Sequence, residues 1–292
     1  MLFLASLLVD GALAGVIYAL IALAFVVVYK ASRMINFALG EWVMVGSRLV
    51  AAGLPTLGLL PALGAACAGT VGLALVFNRV VLRRLVGQPL ISLVMVTLGA
   101  GALMRGAGTL VFRSAPTRIS LPVPADPLML GGLAIPPERL AAAAIAVVAM
   151  AAVAWFFRAS RTGLALRAIA DDQQAAMAVG IDVHRHFGVT WALLGVLSVL
   201  GGTLWTAVAG SGFGVVLLGL KVFPIVILGG LDSIGGTIVG AVVLGVLESL
   251  AAGYVDPVLG GGFSSVAAYL ALIAVLFARP YGLFGRAEVE RI

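Results

Sequence analysis

Charge is scarce in this chain of 292 residues: Asp, Glu, Lys and Arg together make up 10% of it, against about 25% in soluble domains. There are two lysines, Lys30 and Lys221, and neither follows a glycine, so the GK pair of a phosphate-binding loop is missing and ATP hydrolysis through such a loop is excluded. HExxH, CxxC and GxSxG are absent as well. The single cysteine, Cys67, lies in an apolar segment and supports neither a disulfide framework nor a thiolate metal site. Both histidines, His184 and His186, stand away from Cys and from paired carboxylates at metal-ligand spacing, and read as solvated loop groups. The sequence therefore points away from an enzyme and calls for no cofactor. No Lys or Arg precedes Lys30, so the basic leader of a cleaved signal peptide is not seen and residues 3–28 read as a retained span.

What is present is apolar surface. Hydrophobic residues make up 62% of the chain and the mean hydropathy is +1.19, which describes a polytopic membrane protein. The formal charge of +6 is spread through loops and does not form an aromatic-laced basic patch, which argues against nucleic acid. Runs cut at charges, prolines and glycine clusters give spans near 3–28, 37–53, 57–78, 90–112, 138–157, 187–209, 213–230, 234–252 and 263–279. The fold class expected is an all-α bundle of about 8–10 transmembrane helices, with 37–53 and 213–230 short enough to be half-helices. Gly11 with Gly15, and Gly236 with Gly240, sit at the spacing that lets helices approach closely in lipid.

The basic residues alternate between loops. With the N-terminus outside, twelve of the eighteen fall on the inner side (Lys30, Arg33; Arg79, Arg83, Arg84; Arg158, Arg161, Arg167, Arg185; Arg279, Arg286, Arg291). Three fall outside, Arg113, Arg118 and Arg139, around a proline-rich loop at 113–137. This asymmetry predicts an N-terminus outside and a C-terminus inside, with residues 158–186 in the cytoplasm.

Two stretches look interrupted, "YKASRMINFALGEWVMVGS" and "AGSGFGVVLLGLKVFPIVILGGLDSIGG". Broken helices are tolerated at membrane depth where they are buried in protein or line a cavity, and a plain helical hairpin is the competing reading. Ionisable residues in or near spans are Asp10, Glu41, Arg48, Arg105, Lys221 and Glu248. A charge at the bilayer centre costs at least ~2.5–3.5 kcal/mol, so such groups face a cavity or a partner. Asn36 with Glu41, and Lys221 three residues before Pro224, are the candidates for a translocation pathway, with snorkelling or an interhelical pair as the alternative. Arg48 and Arg105 are expected at interfaces, and Asp10 in water near the outer end of its span.

One segment does not fit an oily protein. Residues 158–186 carry Arg158, Arg161, Arg167, Asp171, Asp172, Asp182 and Arg185 together with both histidines. Gly163 to Ala178 has helical periodicity, and Gly180 is a natural stop. Its apolar surface is too thin for a core helix, leaving either a docking knob for another protein or a loop lying on the headgroups.

The wording of this island, "GLALRAIADDQQAAMAVGID", resembles the cytoplasmic loop of LivH-type permeases of bacterial branched-chain amino acid ABC importers. "MINFALGEWVMVGS", "GLKVFPIVILGGLDSIGGTIVGAVVLGVLESL" and "RPYGLFGRAEVERI" match in the same order, so the resemblance covers essentially the whole chain. It implies a single transmembrane permease domain, 1–292, in the bacterial inner membrane, paired with a second homologous permease, two cytoplasmic ATP-binding subunits and a periplasmic solute-binding protein. The island would be the coupling helix, with Gly163, Arg167, Ala168, Asp172, Ala176, Gly180 and Ile181 on the motif positions. Two positions depart from the family pattern: Leu39 replaces the usual histidine and Asp232 a glycine. The first leaves room for another solute, such as urea, a short amide or an aromatic acid. A self-sufficient ion-coupled transporter using Glu41 and Lys221 is the competing class.

Overall fold

The first helix sets the frame of the molecule. α1 (Leu2–Ser32) has 31 residues, no proline, and no ionisable group between Asp10 and Lys30 except Tyr18 and Tyr29. At 1.5 Å per residue it is about 46 Å long, more than the ~30 Å of a hydrocarbon core. Ile17 to Val28 are all buried, because other helices close round it. The computed structural model describes residues 1–85, 88–124, 126–210 and 214–285.

α2 (Leu39–Leu57) follows a short break and turns at Gly58 into α3 (Leu59–Val80). A 3₁₀ turn, Leu82–Leu85, precedes α4 (Leu90–Val111). The proline-rich loop contains a feature the sequence did not announce: β1 (Leu128–Leu130) pairs antiparallel with β2 (Leu133–Ile135), and β2 packs against α1. α5 (Pro137–Ala159) runs to the polar island, which forms two short helices where one was expected, α6 (Arg161–Asp171) and α7 (Gln173–Ala178). Asp172 breaks them apart: its backbone is extended, and its carboxylate accepts the Ala175 N–H at 2.9 Å as the cap of α7. α8 (Val183–Ala209), α9 (Gly214–Gly229) and α10 (Ile234–Leu250) follow. α10 continues through a π-helical turn, 251–255, into α11 (Asp256–Leu259), and α12 (Phe263–Ala278) comes last.

Nine helices among the described residues thus correspond to the nine expected segments. Among the described residues, six are long and apolar enough to cross a membrane by themselves: α1, α3, α4, α5, α8, and α10 with its continuation. α9 and α12, with 16 residues each, are shorter. Residues 211–213 of the second interrupted stretch, and Arg286 and Arg291 with the last of the tail motif, lie outside the described residues.

Small residues set the close crossings. A Cβ on Gly15 would lie 2.7 Å from Val242 Cα, and one on Gly11 would lie 2.7 Å from the Gly245 carbonyl oxygen. α1 and α10 therefore touch backbone to backbone, in the most extensive helix pair of the bundle. Two ends can be told apart: the hairpin packs near the start of α1, and α6 packs against α1 at the other, the island end.

Candidate functional site

The break between α1 and α2 lies deep inside the bundle. α1 ends at Arg33, in left-handed conformation with φ 54°. Phe37 N–H then donates to Thr97 Oγ1 at 3.3 Å. Thr97 is seven residues into α4, about 10 Å from its start. A Cβ on Gly40 would meet the Val216 carbonyl oxygen at 2.2 Å, so the first turn of α2 lies against α9 where only glycine fits. The ring of Phe37 stacks on Phe223 of α9 at 4.7 Å between centroids. α2 therefore begins within the helical layer, as the interrupted sequence suggested.

Polar groups collect at this broken start. Asn36 is buried, and its Oδ1 accepts the Ala38 N–H at 3.0 Å while its Nδ2 finds no partner among the described residues. The Trp42 indole N–H, in the first turn of α2, is also buried and without a partner among the described residues. Glu41 is 4% exposed and bonds to Arg105 of α4. Gly101 makes room for this carboxylate, since a Cβ there would lie 3.2 Å from it. Thr97, Gly101, Arg105 and Gly108 form one stripe of α4, and α2 is the one helix on which α4 packs extensively among the described residues. Arg105, expected at an interface, is instead the counter-ion of Glu41, although half of its side chain stays exposed. The sequence held the signal: two opposite charges inside spans. Among the hydrogen bonds of the described residues, none joins Asn36 to Glu41 directly.

Lys221 lies elsewhere. Gly219 faces the start of α2 and Phe223 lies between Phe37 of the break and Phe25 of α1, while Lys221 projects towards Tyr18 of α1 and Glu248 of α10. Its Nζ reaches Glu248 Oε1 at 3.0 Å and Oε2 at 3.1 Å, and the Tyr18 hydroxyl donates to Oε2 at 3.0 Å. Trp205 stacks on Tyr18. Near the hairpin end Asp10 is not simply wet: Arg139 Nη1 lies 2.7 Å from its Oδ1. Both ion pairs line one cavity of about 350 Å³, walled by Ile17, Trp205 and Val208.

At the island end the seven motif residues separate into two groups. Gly163 is buried in the α5–α6 turn, where a Cβ would meet the Phe156 carbonyl oxygen at 2.5 Å. Ala176 is buried in a small cluster with Ile169 and Val183, against which Ile181 packs. Gly180 has φ 86° in open space, so its conformation and not its surroundings calls for glycine. Arg167 and Asp172 are exposed, and Ala168 is half-buried. The outward apolar groups are Leu164, Met177 and Val179, which the motif had not singled out. Asp182 caps α8 by accepting the Arg185 N–H at 3.1 Å, and that bond holds its carboxyl below the usual range. A cleft of about 740 Å³ beside the island is lined by Lys30, Arg33, Asp171 and Asp232. Among the described residues no group of His, Cys, Asp or Glu is arranged to hold a metal ion.

Comparison with known proteins gives a consistent picture. Residues 7–278 match a family described as branched-chain amino acid transport system / permease component. The chain is 31% identical to the high-affinity branched-chain amino acid transport system permease protein BraD of Pseudomonas aeruginosa, over 98% of this chain and 97% of that one. It is 28% identical to the LivH permease proteins of Salmonella typhimurium and Escherichia coli K12, over 97% of this chain and 96% of each relative.

Proposed function

The chain belongs to the branched-chain amino acid transport permease family, and from that premise we propose that it carries a branched-chain or related amino acid across the bacterial inner membrane as the permease subunit of an ATP-binding cassette importer. It is a non-catalytic component: ATP is hydrolysed by partner subunits, which fits a sequence without a phosphate-binding loop. The assembly we infer has two ATP-binding subunits below, a second homologous permease alongside and a periplasmic solute-binding protein above. The outward apolar residues of α4, Ile91, Met95, Leu103 and Leu110, suit lipid.

The observation that carries this reading is the island. It is a polar two-helix knob at one end of an apolar bundle, held by its own cluster of Ile169, Ala176 and Val183 and presenting Arg167, Met177 and Val179 outwards. A mixed polar and apolar protrusion of this kind fits a cleft in a soluble ATPase. In that role Gly163, Ala168, Ala176, Gly180 and Ile181 shape the knob, while Arg167 and Asp172 meet the partner. The distribution of basic residues supports the island and C-terminus on the cytoplasmic side and the N-terminus and 113–137 loop in the periplasm.

Asn36, Glu41 and Lys221 are the groups we assign to the pathway. Asn36 and Glu41 sit at the broken start of α2, and movement of α4 away from α2 would uncover them. The pairing of Glu41 with Arg105 and of Lys221 with Glu248 leaves neither carboxylate free to take up a coupling cation, which disfavours the ion-coupled transporter. Leu39 is fully buried, so its bearing on solute choice runs through packing and not contact, and an amino acid stays ahead of urea, an amide or an aromatic acid.

Co-purification in mild detergent, with mass spectrometry and an ATPase assay on the eluate, tests the reading. Two ATPase chains and a second permease are expected. A chain that purifies alone and transports under an ion gradient in proteoliposomes would overturn it.

A further inference from the structure

We propose that the cavity between α1, α8, α9 and α10 is a transit site for a zwitterionic α-amino acid, held by Lys221 and Glu248 at its inner end and by Arg139 and Asp10 towards the hairpin end. The proposal rests on the importer reading above and adds to it a place where the permease itself recognises its solute.

The cavity carries two cations and two carboxylates, arranged as two ion pairs. The four charges sum to zero, so the site suits a solute whose own charges cancel, and a net-charged solute would leave one charge without a partner in a poorly solvated place. Its volume, about 350 Å³, falls within the ~300–1,000 Å³ of small-molecule sites. Ile17, Val208 and Trp205 supply an apolar wall for a hydrocarbon side chain.

The inner pair is preorganised for such a guest. The Tyr18 hydroxyl fixes one oxygen of Glu248, and Lys221 spans both oxygens. An ammonium group has three N–H donors, so Lys221 can turn one towards an incoming carboxylate while it keeps Glu248. The guest's ammonium then finds a carboxylate, on Glu248 or on Asp10, and the sequence of charges alternates along the cavity. Exposure grades in the right order for entry from the hairpin end: the side chains of Asp10 and Arg139 are 40% and 39% exposed, those of Lys221 and Glu248 26% and 14%. Deeper along α1, from Tyr18 to Val28, every side chain is buried, so the cavity ends at Tyr18 and a solute would wait there until the helices shift.

The test uses the assembled importer in lipid nanodiscs without its solute-binding protein, and tritiated L-leucine as the probe. Leucine is expected to bind, and leucinol, without the carboxylate, and 4-methylpentanoate, without the ammonium, should compete at least about tenfold more weakly, as loss of one charge-assisted contact implies. Equal competition by either analogue overturns the proposal. The reversed pair Lys221→Glu/Glu248→Lys keeps an ion pair and so separates recognition from folding. It should stay assembled, with a melting temperature lowered no more than that of Tyr18→Phe because the Tyr18 hydroxyl loses its carboxylate acceptor, and lose about tenfold in leucine binding beyond any loss in Tyr18→Phe; unchanged binding and uptake would reduce the pair to a structural brace. No leucine binding by a complex that imports leucine once the binding protein is added sinks the site and spares the importer reading. Binding with the expected charge dependence, but no uptake by the full assembly, keeps the site and sinks the importer reading.

Discussion

Two acidic residues inside the bundle have found cations in different ways. Glu41 is sealed in, its carboxylate between Gly101 and Arg105, and what it joins is a peripheral helix, α4, to the broken start of α2. Glu248 is joined to the central α1 through Tyr18 and to α9 through Lys221, beside an open cavity. The first pair holds an outer helix in place. The second lies beside a cavity, where the proposed solute would meet its charges. Burial cost forces pairing in both places, so pairing alone does not tell a latch from a site; the adjoining space does.

The largest effect is expected from Arg105→Leu, which leaves Glu41 buried without its cation. Breaking a fully buried pair from one side costs about 3–5 kcal/mol; with Arg105 half exposed the loss is expected at the low end of that range, read as a lower melting temperature of the purified complex. The double variant Glu41→Gln/Arg105→Leu removes both charges, and should recover most of that stability. If the pair is a latch whose opening belongs to transport, the double variant will be stable but its uptake altered. Wild-type uptake from a stable double variant would leave Glu41 a purely structural role.

Next in size is Tyr18→Phe, which sharpens the other side of the comparison. It removes a hydrogen bond to an ionised carboxylate, worth about 1.5–3 kcal/mol, and frees Glu248 to turn. Leucine uptake at low concentration should fall more than at saturation. An equal fall at both concentrations would show that the hydroxyl supports the fold and not the position of the carboxylate.

The contrast also shows what could be read from the sequence. All nine helical segments were visible because hydropathy is a local property, and α2 looked broken because Asn36, Gly40 and Glu41 interrupt an apolar run. Glu41 and Lys221 stood out as charges in oil. So did Arg105 and Glu248, but which groups pair was not visible, because Tyr18 lies 230 positions from Glu248 and Glu41 64 from Arg105, and nothing local in a sequence records which helix faces which. The island was legible as an exception but not in its shape: Asp172 could continue a helix or cap a new one, and the packing of Ile169, Ala176 and Val183 chose the cap. The β1–β2 hairpin was hidden because its strands are three residues long and mostly exposed, too short for an alternating pattern.

Two smaller changes probe the latch without touching its charges. Gly101→Ala places a methyl group 3.2 Å from the Glu41 carboxylate. Overpacking of this kind costs about 1–3 kcal/mol, and α4 can absorb part of it by moving outwards, since among the described residues it packs extensively on no helix but α2. A stability loss is expected together with greater reactivity of a cysteine introduced at Asn36, because the space behind α4 opens. Unchanged reactivity would mean that the carboxylate gives way and not the helix.

The smallest expected effect is that of Thr97→Val. The hydroxyl of Thr97 accepts the Phe37 N–H and donates to the Val94 carbonyl oxygen at 2.9 Å, while valine keeps nearly the same shape. The loss is about 1 kcal/mol for a backbone N–H left without its acceptor. Thr97 is fully buried, one turn of α4 from Gly101, so the effect reports on how firmly the break is held against α4. If the break and α4 move as one unit, Thr97→Val and Gly101→Ala act on the same contact, and the double variant should cost less than the sum of the two. Strict additivity would separate the break from the latch and leave Glu41 and Arg105 as the only grip between α2 and α4 that matters for transport.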